Sequence, residues 1–365
     1  MSKINNYIFK KRLYASQMWR LLWNTEFYNV GTFEIGVRGE GEGKFADEGS
    51  GVDTFVYNGV TTDDFYIFDV TVSPRQLKFR GYSLTKFSSA SLGSNAHHDI
   101  GTLPPEMDFY NNAGVNTSYG DVGNLPSHMT YFNILGQNTV TGDIGNAPKS
   151  LLTFHFSGQN TITGDIANLP RGLSSISARG NNTIYGDWIN LPTNMQYIFF
   201  DGNNTISGDI STMVENGTLT HLAVRGNNTL TGSILGIPTT CYSIEFRGNN
   251  TVSGDIGLMQ GSIRQITIYG DPTLSYTAGK SWPTNFYRMD IRPQIGKGLT
   301  SAEVDAILID LNNSGVTNGT NSGLVWLAGE NSARTKASDT AKTNLESRGF
   351  TVVTNEPSGG DPPPL

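Results

Sequence analysis

Residues 151–170 read LLTFHFSGQNTITGDIANLP, and two spacings alternate within them. Phe154 and Phe156 stand two apart, the period of a strand that buries one face, and Gly158, Asn160, Gly164 and Asp165 then supply turn-forming types. The element recurs as GVNTSYGDV at 114, GQNTVTGDI at 136, GQNTITGDI at 158, GNNTIYGDW at 180, GNNTISGDI at 202, GNNTLTGSI at 226 and GNNTVSGDI at 248. Successive copies are 22 residues apart except for one interval of 24. That interval contains Glu215-Asn216-Gly217, and a stacked coil absorbs such an insertion on an outer loop. A weaker copy, HHDIGTLP at 97–104, precedes the series and GDPTLSY from 270 follows it. A fixed period with atypical ends predicts a capped, β-rich solenoid of 22-residue coils.

The copies align into columns. The apolar pair Phe154/Phe156 corresponds to Phe132/Ile134, Ile176/Ala178, Ile198/Phe200, Leu222/Val224, Ile244/Phe246 and Ile266/Ile268, which predicts one short parallel strand per coil. Ile162 and Ile166 complete the expected core of the 151–170 unit. The Asn column (Asn116, Asn138, Asn160, Asn182, Asn204, Asn228, Asn250) follows each strand. A buried amide is costly alone, so a continuous ladder bonded to neighbouring backbone is the expected arrangement. Gly120 through Gly254 would permit the next turn, and the Asp column (Asp99, Asp121, Asp143, Asp165, Asp187, Asp209, Asp255) would hydrogen-bond local backbone there.

In these columns the sequence resembles the leucine-rich repeat family, in the class with L-x-x-L-x-L followed by N-x-L-x-G-x-I-P. One extra residue lies between strand and Asn, and Pro is displaced by three residues. The resemblance covers about half the chain, with a parallel β-helix as the competing architecture. It is similar to repeat arrays of bacteriophage virion or tail-fibre proteins and of gut-bacterial surface proteins. Those imply a binding scaffold and, at the C-terminus, helix-bearing terminal repeats.

Five segments follow: 1–28, 29–91, 92–298, 299–355 and 356–365. In 299–355, helical spacing over 301–311 after Thr300, a strand at 324–327, a helix over 338–347 and a strand at 350–354 would cap the array. The tail EPSGGDPPPL reads as flexible. In 29–91, FEIGVRG, TFVYNGV, FYIFDVTV and LKFRGYSL predict a small antiparallel β-module. It is similar to polycystic-kidney-disease-type immunoglobulin-like modules, although the Trp of their W-G-D-G turn is missing near Ala46-Asp47-Glu48-Gly49. Residues 1–28 crowd Tyr7, Phe9, Tyr14, Trp19 and Trp23 into an aromatic, basic segment, read either as a helix packed on that module or as an assembly-docking peptide.

Composition narrows the function. The 365 residues carry a net charge of −7 with no Lys/Arg cluster, which argues against nucleic acid as partner. No apolar run of about 18 residues predicts membrane insertion. The start lacks a secretory-signal pattern, which favours assembly inside a bacterial host into a virion over export to a bacterial surface. Cys241 is the sole cysteine, so no disulfide can form within the chain, and its column mates Met129, Leu151, Leu173 and Met195 make it a core residue. One carboxylate per coil does not supply the six or more oxygens calcium takes, and equivalent environments leave no acid/base pair with separated pKa values. His97-His98-Asp99 reads as a turn variant, not a metal cluster. No cofactor and no catalytic residue are expected.

Side chains flanking the strand columns would face out of the concave sheet. Tyr131, His155, Arg179, Tyr197, Phe199, Asp201, His221, Arg225, Glu245, Arg247 and Tyr269 are the candidate partner-binding set, because rings contribute contact area and Arg contributes forked donors. The expectation is a non-enzymatic virion component, a tail or head fibre or receptor-binding accessory protein. It would join other virion proteins through its N-terminus and recognise a host-surface glycan or protein through the concave face. The alternative is a bacterial surface adhesin of leucine-rich type, and self-association is left open.

Overall fold

The computed structural model describes residues 21–27, 31–47, 55–70, 75–80, 83–91, 96–103, 105, 107–114, 117–215, 217–317 and 323–356, with side chains from residue 98 onward except 113–114 and 214–215. The chain divides into two compact units, residues 1–183 and 184–365.

In the first unit, strands Leu21–Phe27, Gly31–Asp47, Phe55–Val70, Arg75–Arg80 and Ser83–Ser91 come first. Gly31–Asp47 pairs antiparallel with the three strands that follow it, and Leu21–Phe27 pairs antiparallel with Arg75–Arg80. Trp23 lies in that first strand, in register with Phe79, so 21–27 is extended where a helix was one expectation. Ser83–Ser91 also pairs in parallel with Phe109–Gly114, and Leu21–Phe27 pairs with Ala96–Asp99. Antiparallel strands thus occupy the first edge of the repeat stack, satisfying backbone groups that would otherwise invite another chain.

Each coil then repeats one path. Thr153–Gly158 is a strand whose Phe154 and Phe156 are fully buried, in parallel register with Tyr131–Asp143 and Ser175–Ala178. A second short strand, Thr161–Asp165, adds two-residue alternation, with Ile162 inward and Thr161 and Thr163 outward. Two strands per coil therefore replace the single one expected. The Asn turn delivers the chain extended onto the next stretch, which pairs with its counterpart one coil away. A 3-10 turn follows, Ile166–Asn168 in this coil, and Asp165 caps it by accepting from the Ala167 N–H at 2.9 Å. Pro170 then opens a turn closed by the Leu173 N–H to the Pro170 carbonyl.

The Asn column sits inside the stack. The Asn160 Oδ1 accepts from the Val140 N–H of the preceding coil at 2.8 Å, while its Nδ2 donates to the Ser157 carbonyl at 2.8 Å. Asn182 does the same for Ile162 and Arg179. One fully buried side chain satisfies two backbone groups that a Leu would strand. Asn116 lies outside the described residues. The glycines beside this turn are forced by space: Gly158 has φ of 104°, and a Cβ there would sit 1.9 Å from the Gly136 carbonyl oxygen.

In the second unit, parallel strands Tyr197–Phe200, His221–Val224, Ser243–Phe246, Gln265–Gly270, Arg288–Pro293, Leu324–Leu327 and Thr351–Thr354 pair in that order. Asn204, Asn228 and Asn250 continue the same bonds to Ile184, Ile206 and Leu230. The ladder gains a member outside the GNNT signature: buried Asn331 accepts from the Leu299 N–H and donates to Ile291 and Ala328 carbonyls. The 24-residue interval is taken up by a longer 3-10 helix, Ile210–Glu215. Helices α1 (Ser301–Asn313), capped by a Thr300/Glu303 box, and α2 (Asp339–Ser347) replace the 3-10 turns in the last coils. Buried Asp310 on α1 accepts from the Tyr276 hydroxyl and the Gly279 and Lys280 N–H groups, fastening the 276–282 loop.

Asp99 caps the 3-10 turn Ile100–Thr102, but His97 and His98 lie in strand Ala96–Asp99 instead of in a turn. His98 is buried edge-on to Tyr110 at 6.4 Å. Cys241 is fully buried, and burial pushes its thiol up to about 12. Among the described residues no three His, Cys, Asp or Glu side chains group as metal ligands, and no helix is long and apolar enough to cross a membrane.

Candidate functional site: the outward columns of the parallel strands

Register and the backbone bonds between successive coils align the residues on and beside the strands of the second unit in four columns. Thr220, Tyr242, Arg264 and Tyr287 precede the strands. Next come Tyr197, His221, Ser243, Gln265 and Arg288, followed by Phe199, Ala223, Glu245, Thr267 and Asp290. Asp201, Arg225, Arg247, Tyr269 and Arg292 close the set.

Along the last two columns, carboxylates and guanidinium groups interleave with rings. The Arg225 guanidinium pairs with Glu245 and approaches Asp201 at 3.7 Å, lying 4.8 Å over the Phe199 ring. Arg247 pairs with the same Glu245 and lies 4.4 Å over the Tyr269 ring. One coil on, Asp290 accepts from Arg288 and Arg292 at 2.7 Å each and from the Tyr269 hydroxyl at 2.6 Å. Arg292 also spans Tyr269 at 4.9 Å and Trp326 at 4.1 Å. Burial first, then the Asp290 bond, raises the Tyr269 phenol pKa, and the Asp290 bond raises that of Arg292.

Two of the expected contact residues are not surface groups. Phe199 is 6% exposed and Glu245 is 6% exposed. Strand alternation points both outward, but the long Arg225 side chain of the next coil lies across Phe199, and Arg225 and Arg247 close over Glu245. A buried carboxylate with two guanidinium partners orients them; it is not offered to a ligand.

The other rim is aromatic. Tyr197 and His221 ring centroids are 5.4 Å apart, His221 and Tyr242 4.4 Å, and Arg264 lies 5.1 Å over Tyr242. Burial lowers the His221 pKa. The Tyr287 hydroxyl donates to Gln265 at 2.7 Å. Tyr242, Arg264, Tyr287, Arg288, Asp290, Arg292 and Trp326 were not in the expected set. The first three stand one residue before the strand pattern. The others lie past Tyr276, where the GNNT signature fades and only the apolar pair Met289/Ile291 marks the strand.

In the first unit the corresponding face carries Tyr131, His155 and Arg179. Tyr131 stacks on Phe109 at 4.3 Å, and burial raises its pKa. The His155 Nε2 hydrogen-bonds the Ser175 hydroxyl at 2.7 Å; burial, then the Arg179 charge, hold its pKa at about 4. Asn133 donates to Asn111 at 2.8 Å. Of the docking set, Tyr7, Phe9, Tyr14 and Trp19 lie outside the described residues.

No family model matches the sequence, and no curated protein matches it. Among solved structures, the chain is similar to the plant peptide hormone receptor RGFR1 in complex with RGF2, at 21% identity and a TM-score of 0.42, covering 61% of this chain and 41% of that one. It is also similar to the leucine-rich-repeat ectodomain of the Arabidopsis thaliana membrane receptor kinase GASSHO1/SCHENGEN3 in complex with CASPARIAN STRIP INTEGRITY FACTOR 2, at 16% identity and a TM-score of 0.38, covering 71% of this chain and 37% of that one. The Arabidopsis receptor kinase HAESA ectodomain, in complex with an N-terminally extended IDA peptide hormone, gives 18% identity and a TM-score of 0.40, covering 64% of this chain and 51% of that one. The chain thus spans about half or less of the length of each.

Proposed function

We propose that the protein is a non-enzymatic binding scaffold whose partner lies along the outward columns of the second unit. The observation that carries this reading is the row Arg225, Arg247, Arg288 and Arg292, each held by a carboxylate, with Tyr269 and Trp326 interleaved. Side chains oriented before a partner arrives lose little freedom on binding, and Arg and aromatic residues dominate interface energetics. Stacked repeats also give the extended surface that such scaffolds use.

The finer reading is a bacteriophage virion component, a tail or head fibre or receptor-binding accessory protein. It joins other virion proteins through the aromatic segment 1–28 and attaches to a host-surface glycan or protein. The resemblance of the repeats to phage arrays and the Tyr and Trp content of that segment support it. The test is adsorption of the labelled full-length chain to bacterial cells and its incorporation into particles. Tyr197→Ala with Arg247→Ala should abolish adsorption and spare incorporation, and removal of residues 1–20 should do the reverse. Normal adsorption by the double variant would refute the binding face, and incorporation of the truncated chain would refute the docking segment.

A further inference from the structure

The two rims of this face differ in chemistry. On one, Tyr197, His221 and Tyr242 form a run of rings, with Arg264 over Tyr242. On the other, four or five residues along the strands and so roughly 13 to 17 Å away at ~3.3 Å per residue, stand Arg225, Arg247 and Arg292. Between them Ala223, Ser243 and Thr267 are short, and the larger Phe199, Glu245 and Asp290 of the middle column are buried beneath arginines. We infer that this trough holds an extended anionic glycan, its sugar faces against the ring rim and its carboxylate or sulfate groups on the guanidinium rim. The inference rests on the reading of this face as the binding face and names the chemistry of its occupant.

Charge argues first for an anion. The side chains of Glu245 and Asp290 are 7% and 0% exposed, whereas those of Arg225, Arg247 and Arg292 are 29%, 35% and 41% exposed. Both of these carboxylates lie beneath, with Asp201 beside Arg225 the one exposed carboxylate of the rim, so a partner approaching from solvent meets mainly guanidinium groups that are already oriented. On a chain of net charge −7, such a local cationic strip runs against the average and steers anionic partners toward itself. Arg is also the side chain whose planar fork matches a carboxylate or sulfate with two parallel donors.

Shape and the second rim argue for a glycan over an acidic peptide. An extended peptide draws its specificity from pockets that take alternate side chains, and a floor of short Ala, Ser and Thr side chains with Phe199, Glu245 and Asp290 already covered by arginines leaves none open. Ring side chains present apolar faces with a polar edge, suited to a partner whose own faces are C–H and whose rim is hydroxyl. Tyr287 and Gln265, hydrogen-bonded to each other at the ring rim, add polar groups of both senses.

The test is calorimetric titration of the full-length chain with polygalacturonate, dextran sulfate, dextran and poly-L-glutamate at matched ionic strength. Binding of polygalacturonate or dextran sulfate is expected, weakening as NaCl rises, with dextran and poly-L-glutamate each at least about tenfold weaker. Whichever anionic glycan binds more tightly tells carboxylate from sulfate. Arg247→Gln should weaken binding about tenfold, the scale of one charge-assisted pair. Because Arg247→Gln alters the charge network, Tyr242→Ala serves as the second variant: it leaves every carboxylate paired and should also weaken glycan binding about tenfold. Equal binding of poly-L-glutamate would overturn the glycan in favour of an acidic peptide, and full-strength glycan binding by Tyr242→Ala would overturn the placement of its sugars on the ring rim. If no anionic glycan binds while the Tyr197→Ala, Arg247→Ala chain still fails to adsorb to cells, this inference falls and the binding face stands. If that variant adsorbs normally, the binding face itself falls.

Discussion

The coils of the first unit and those of the second share a backbone and differ in what they turn outward. Inside, both carry the Asn-to-backbone bond, the Asp-capped 3-10 turn and a stack of buried apolar side chains. Outside, Tyr131 stacks on Phe109, Asn133 bonds Asn111 and His155 bonds Ser175, whereas the second unit aligns guanidinium groups over buried carboxylates. The inward columns are constrained by packing density and by the need to pair every buried polar group. The outward columns meet those constraints only where a long side chain covers them, as over Phe199, Glu245 and Asp290, and there the two units diverge.

That contrast can be broken at its inward side first. Phe156→Ala should cost about 3 to 5 kcal/mol in equilibrium unfolding, because the ring is fully buried against Phe154 at 4.7 Å. A loss on the scale of a surface substitution, within about 0.5 kcal/mol, would show that the column is not core. Next in size, Asn182→Leu in the first unit and Asn204→Leu in the second should each cost about 1 to 3 kcal/mol, since each strands an N–H and a carbonyl. Hydrogen exchange should quicken at Ile162 in one variant and at Ile184 in the other. Unchanged protection there would mean that the amide does not carry the turn.

The outward side of the first unit offers a pH signature. With its pKa at about 4 against an ordinary 6.5, His155 stays neutral in the folded chain over a range in which the unfolded chain takes up a proton. Stability contributed by the neutral ring is therefore present above about pH 6.5 and lost as pH falls towards 4, on the order of 1 to 3 kcal/mol in all. His155→Gln should flatten the difference in unfolding free energy across that window; an unaltered slope would remove His155 from the account. Smaller still, Thr300→Ala should cost about 1 kcal/mol by opening the capping box of α1.

The same division governed what could be read in advance. Period, core columns, Asn ladder and Asp turn were legible because each is a repeated answer to one physical requirement, and repetition is visible in a single sequence. The second strand of each coil was hidden because Gly164 interrupts the apolar alternation begun at Ile162. Phe199 and Glu245 were misplaced because parity gives the direction of a Cβ and says nothing of a long arginine from the next coil lying over it. Asn331 went unseen because GEN had replaced GNN, although the turn it serves is the same.

The central claim is that inward columns hold the fold and outward columns hold the partner. The most direct measurement is adsorption of the Tyr197→Ala, Arg247→Ala chain to bacterial cells beside its parent. The account predicts that the variant, in which buried Glu245 keeps Arg225 as its partner, is less stable by about 1 to 3 kcal/mol but still folds cooperatively, and no longer adsorbs. A variant that is folded and adsorbs as the parent does would contradict it.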